Sequence, residues 1–191
     1  LMMPSQKLIT QLELTGMPLS LKKVKQVKEE LTQIQTDNVD KIQNSPLIKT
    51  LDLLLQDAAW GKDYESRKAK AKNPGKILPK SKAAFDDVSF NPNSGPQLQR
   101  LLYELMGLPV IDLTDTKQPA TGADTIEKLI HHATDPLYKE VLQALINYGK
   151  CTKILNTFIP AFEAALSKDN SNTVWLHGSF NLGGTVSGRL S

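Results

Sequence analysis

The 191-residue chain is short of the residues that usually announce chemistry: it has one cysteine and three histidines. A lone Cys151 closes no internal disulfide, which excludes a disulfide-stapled scaffold and suits a reducing cytoplasm. Set in a helical pattern, it reads as a small core residue rather than a nucleophile. His131 and His132 have no cysteine or carboxylate at metal-ligand spacing and read as a helix end, where cations are favoured. No apolar run is long enough to span a membrane, and Leu1-Met2-Met3 lacks the basic residues of an export signal. There is no repeat of solenoid length. The acidic pairs Glu29-Glu30 and Asp86-Asp87 have no converging partners and read as solvated charges. What is present is 40% hydrophobic content, enough for a core in one domain or one and a half.

Most of the chain reads as helix. Ser20 can cap a helix whose apolar positions Leu21, Val24, Val27, Leu31 and Ile34 recur at three- and four-residue steps. Its opposite face, Lys22, Lys23, Lys25 and Lys28, reads as solvated in preference to DNA-binding. Ser45-Pro46 predicts a second helix over Leu47 to Trp60. A third runs from Pro96 to Met106 and stops at Gly107. Asp124-Thr125-Ile126-Glu127 has the form of a capping box opening a short fourth. Asp135-Pro136 starts the longest, with Leu137, Val141, Leu142, Leu145, Tyr148, Leu155, Phe158 and Phe162 as its stripe; Pro160 is expected to kink or end it.

One stretch breaks this order. Between Lys62 and Lys82 stand eight cations (Lys62, Arg67, Lys68, Lys70, Lys72, Lys76, Lys80, Lys82) against Asp63 and Glu65. The chain's net charge is +3, so the remainder is acidic and the basic character is concentrated here. Asn73-Pro74-Gly75 and Pro79 exclude a regular helix through its second half. Clustered cations can neutralise phosphates without reading sequence; a mobile solvated loop with no partner is the bland alternative.

The most informative segment runs from His177 to Ser191. Val174, Leu176, Phe180, Val186 and Leu190 favour strand, and Asn181-Leu182-Gly183-Gly184 reads as the turn of a β-hairpin. Gly188 beside Arg189 lets backbone approach a ligand while a planar fork of donors reaches into it. The segment resembles the one that opens the palm of family A DNA polymerases, the DNA polymerase I-like group. His177, Ser179, Phe180, Thr185, Ser187, Gly188, Arg189, Leu190 and Ser191 all match without a gap.

Further matches follow in order along the chain. Leu14-Thr15-Gly16-Met17-Pro18-Leu19 is similar to the turn that begins the polymerase domain. Phe90-Asn91-Pro92-Asn93-Ser94, with Gln97, Leu98, Leu101 and Leu102, resembles the start of a thumb helix that Met106-Gly107-Leu108-Pro109 closes. Lys117 and Pro119 through Leu129 resemble the thumb-tip loop and the helix behind it. Tyr148, Lys153, Thr157 and Phe158 resemble the helix leading from thumb to palm. Gly149 and Asn181 depart from the pattern, where many members have arginine and histidine.

The resemblance implies a mainly α fold with a small β-hairpin: a thumb of long antiparallel helices with a helical tip, then the first antiparallel strands of the palm. Residues 1–19 would lead into the polymerase domain, 20–170 form the thumb with a basic insertion at 57–88, and 171–191 form the palm hairpin. Some phage replicative members carry such an insertion, where it docks a processivity factor or holds DNA. The parent would carry out template-directed DNA synthesis with Mg2+ in the host cytoplasm, its metal-holding carboxylates lying beyond the Gly-Arg-Leu-Ser segment. This stretch would grip primer–template duplex alongside the palm and fingers. Arg189 would probe minor-groove acceptors common to all base pairs, with Thr185 and Ser187 in support. Phosphate contacts are expected from Lys153, Lys117, the Thr121 hydroxyl, the backbone at Gly122, and Lys68, Lys70 and Lys72. The alternative class is a non-catalytic helical module for DNA binding or clamp docking, or one chain of a split polymerase.

Overall fold

The computed structural model describes residues 2–71, 74–166 and 173–181. Among these residues the fold is mainly helical, with one small antiparallel sheet of two strands. It divides into two compact units, residues 1–34 with 151–191, and residues 35–150.

In the first unit, α1 (Met2–Thr15) ends at Gly16, whose φ of 69° lies in the left-handed region where glycine carries no Cβ penalty. The Gly16 N–H donates to the Leu12 carbonyl, and the chain turns directly into β1 (Met17–Ser20). β1 pairs antiparallel with β2 (Thr173–Leu176), Met17 opposite Leu176 and Ser20 opposite Thr173. The small sheet is thus as expected, but its strands lie far apart in sequence. Among the described residues β2 finds its partner in β1. Most of the expected turn at Asn181-Leu182-Gly183-Gly184, and the expected second strand with Val186 and Leu190, lie outside the described residues. Helix α1 itself is unforeseen: Leu8, Leu12 and Leu14 are exposed and Ile9 is buried, so no one-sided stripe marks it.

Ser20 precedes α2 (Leu21–Asn44), which runs ten residues past Ile34. Ser45 then opens α3 (Pro46–Lys70), with proline in its first turn. The Ser45 carbonyl accepts from the Ile48 and Lys49 N–H groups, while its hydroxyl makes no cap. α3 extends well beyond Trp60, so the first half of the basic stretch is helical. The second half is irregular as expected, broken into 3-10 turns at Pro74–Lys76 and Lys82–Phe85.

α4 (Gly95–Gln99) continues as wider π turns over Arg100–Leu105 and stops at Gly107, φ 63°. α5 spans Ala123–Ile130, with His131 as its C-terminal cap. α6 (Pro136–Lys153) passes through π turns at Ile154–Phe158 into α7 (Ile159–Leu166). Pro160 therefore does not end the helix. Its missing N–H and its crowding of the residue-156 carbonyl are accommodated by the looser turn just before it.

The core of the second unit joins Ile42, Ile48, Leu51, Leu101, Leu102, Leu129, Leu142 and Ile146, all essentially without solvent contact. Each such side chain contributes roughly 1.5–3 kcal/mol of burial. Cys151 is buried in the first unit, and burial pushes its thiol pKa up, as befits a core residue.

Candidate nucleic-acid interface

The basic stretch folds back on α3. The Asp63 carboxylate accepts from Arg67 Nε at 2.7 Å and from Lys80 Nζ at 3.0 Å. The Lys80 and Arg67 donors hold the Asp63 carboxyl below its usual pKa, burial opposing them. Arg67 Nη1 donates to the Leu78 carbonyl, and Trp60 Nε1 to the Lys80 carbonyl at 2.8 Å. Lys82 pairs with Asp57 at 2.6 Å and lies 5.6 Å over the Trp60 ring. Trp60 stacks with Tyr64, and Lys68 sits 5.9 Å over the Tyr64 ring.

This arrangement sorts the cations. Arg67, Lys80 and Lys82 donate to acids and carbonyls of the element, while Lys68, its amine over the Tyr64 ring, and Lys70 are exposed in the last turns of α3. Lys72 lies outside the described residues. Sequence reading missed Asp57 and the aromatic ladder, although Trp60, Tyr64 and Lys68 stand at four-residue steps on one helix face.

The loop before α5 is equally well fastened. Leu113 bridges Pro119, and a turn from Thr114 to Lys117 carries Lys117 at φ 58° with its side chain exposed. Gln99 Nε2 donates to the Pro119 carbonyl at 2.7 Å, and the Tyr103 hydroxyl donates to the Ala120 carbonyl. Asp112 accepts from Lys128 Nζ at 2.8 Å and Thr125 Oγ1 at 3.1 Å; these donors, Lys128 foremost, hold its carboxyl below the usual range.

The expected capping box does not form. Gly122 is the N-cap of α5, no side chain closes it, and Glu127 instead pairs with Lys150 at 2.7 Å. Asp124 sits inside the first turn, too late to cap. The N–H groups beyond exposed Gly122 carry no side-chain cap, and half-buried Thr121 precedes them.

In the first unit, exposed Lys153 ends α6. Past β2, the imidazole Nδ1 of His177 lies 2.7 Å from the Glu13 carbonyl, and the Phe180 N–H donates to Glu13 Oε1 at 2.7 Å. Arg189, Thr185 and Ser187 lie outside the described residues. Among the described residues no group of three His, Cys, Asp or Glu converges as a metal site. No helix among them is long and apolar enough to cross a membrane.

A family model described as DNA polymerase family A matches residues 63–191. The chain belongs to DNA polymerase family A. It is 37% identical over 103 residues to "DNA polymerase I, thermostable" of Thermus thermophilus, covering 53% of this chain and 11% of that protein. It is 32% identical over 106 residues to a DNA polymerase of Bacillus phage SP01, 56% of this chain and 10% of that protein. Similarity to the DNA polymerase of Escherichia phage T5 runs over all 191 residues at 26% identity and covers 18% of that protein. The chain thus spans less than a fifth of the length of these relatives. The family A match begins at Asp63, the anchor of the basic element, and includes the Asp112–Gly122 loop, Lys153 and the His177–Phe180 segment. Glu13 and Gly16 lie before it.

Proposed function

We propose that this chain is the thumb and first palm segment of a DNA-directed DNA polymerase, of the phage replicative type, and that it grips primer–template duplex during DNA synthesis. The family match across residues 63–191 carries this reading. Exposed Lys68 and Lys70 at the end of α3, Lys117 on its turn, the open helix start at Thr121-Gly122, and Lys153 supply charge that no acid among the described residues consumes. Such contacts bind the duplex backbone and carry no sequence information. Lys72, and Arg189 with Thr185 and Ser187 at the minor groove, complete the set in this reading.

Mg2+ supplies two-metal nucleotidyl transfer in the parent enzyme, held there by carboxylates that follow the Gly-Arg-Leu-Ser segment in this reading. The work would take place in the bacterial cytoplasm. Leu78, 82% exposed at the turn of the basic element, favours a second use of that element: docking a processivity factor.

A hydroxyl-radical footprint tests the reading. The chain should protect the sugar–phosphate backbone of the duplex beside the primer end, whatever its sequence, and should extend no primer by itself. Protection confined to one sequence, or extension by the isolated chain, would overturn it.

A further inference from the structure

The end of α1 and the segment that leaves β2 are fastened together at the turn after α1. Gly16 adopts φ 69°, and a Cβ built there would lie 2.9 Å from His177 Cε1 and Nδ1 and 3.1 Å from the Leu176 carbonyl oxygen. A side chain at this position therefore collides with a ring and a backbone at once. The ring is fixed as well as close. A carbonyl only accepts, so the 2.7 Å contact from His177 Nδ1 to the Glu13 carbonyl places a hydrogen on Nδ1. Three residues further on, the Phe180 N–H donates to the Glu13 side chain at 2.7 Å. Glu13 thus holds the segment leaving β2 at two points, by its main chain and by its carboxylate, while the β1–β2 pairing holds the strand before it.

From this geometry we infer that Glu13, seated on Gly16's bare turn, is a positioning residue that sets the direction in which the chain leaves β2 toward the DNA. The inference rests on the duplex-gripping reading above. In that reading Arg189, eight positions beyond Asn181 in the sequence, is the DNA contact this positioning would serve. Glu13 makes no contact with DNA. It acts through Phe180 and His177, and a carboxylate is suited to this because an acceptor with charge binds a backbone N–H more strongly than a neutral one.

The test uses the whole chain and three forms of residue 13: glutamate, Glu13→Ala and Glu13→Gln, the last keeping an oxygen that accepts from Phe180. Amide exchange at Phe180 and affinity for a primer–template duplex are measured on each. Glu13→Ala should speed Phe180 exchange about tenfold or more and weaken duplex binding severalfold, and Glu13→Gln should restore most of both. Lys153→Ala, as a control, should weaken binding and leave Phe180 exchange alone. Unchanged exchange in Glu13→Ala would overturn the dock. Faster exchange with unaltered duplex affinity would reduce the dock to a stabilising contact and overturn the positioning role. Should the unaltered chain bind no duplex, the gripping reading falls and the positioning role with it, while the exchange result still decides whether the dock exists.

Discussion

The imidazole of His177 occupies the space a side chain on residue 16 would need, with ring atoms 2.9 Å from the ideal Cβ position on Gly16. Residue 16 also sits at a φ that side chains avoid. Gly16→Ala should therefore destabilise the first unit by about 2–4 kcal/mol, combining left-handed strain with a steric clash. A lowered midpoint in urea unfolding checks this; a midpoint within experimental scatter of the parent would show that the ring is free to move away.

The cations of the basic element should not contribute equally to DNA binding. Removing one phosphate-neutralising cation lowers the slope of log affinity against log salt by about 0.9. Neutralising Lys68 and Lys70 together should flatten the slope by about 2, and adding Lys72 should flatten it further. Lys82→Gln, whose amine is already paired with Asp57, should leave the slope where it was. Equal effects from both sets would mean that the ion pairs open on DNA.

Asp63 is the hinge pin of that element, since one carboxylate takes both Arg67 and Lys80. Asp63→Asn removes the charge and leaves Arg67, whose Nη2 is already buried without a partner, poorly matched. The returning segment should loosen from α3. Trypsin cleavage after Lys76, Lys80 and Lys82 should accelerate severalfold, with the rest of the chain cut at its former rate.

The loop before α5 should weaken in acid. Asp112 titrates below its ordinary value of 3.8, so its folded state favours the carboxylate. Its contribution is fully present above that value and is lost as pH falls through the lowered one. Asp112→Asn should accordingly reduce stability at neutral pH, and the difference from the parent should vanish in strong acid. A difference that persists there would assign the effect to packing instead.

The helices were legible because their signals are local. Ser45-Pro46, Asp135-Pro136 and Gly107 mark real boundaries; of the expected stripe Val141, Leu142 and Leu145 are buried, while Phe158 is exposed, past the π turns that shift the helix phase. The sheet was legible only in half: β2 is rich in strand formers, but Met17-Pro18-Leu19-Ser20 is too short and irregular to announce a strand whose partner lies at the far end of the chain. The capping box failed because Asp124 lies within the first turn and Glu127 has a better partner in Lys150, a residue no local pattern connects to it. Within the site, composition located the basic element, yet its order depends on Asp57, Asp63 and Trp60, which become partners only when the chain folds back. Lys117 and Lys153 were placed by resemblance, and both are exposed.

The most direct measurement is the affinity of the 191-residue chain for two primer–template duplexes of unrelated sequence, followed from about 50 to 200 mM salt. The account predicts nearly equal affinities for the two and a fall of at least about tenfold across that range. Binding that ignores salt, or that strongly prefers one sequence, would contradict it, as would no binding at the lowest salt.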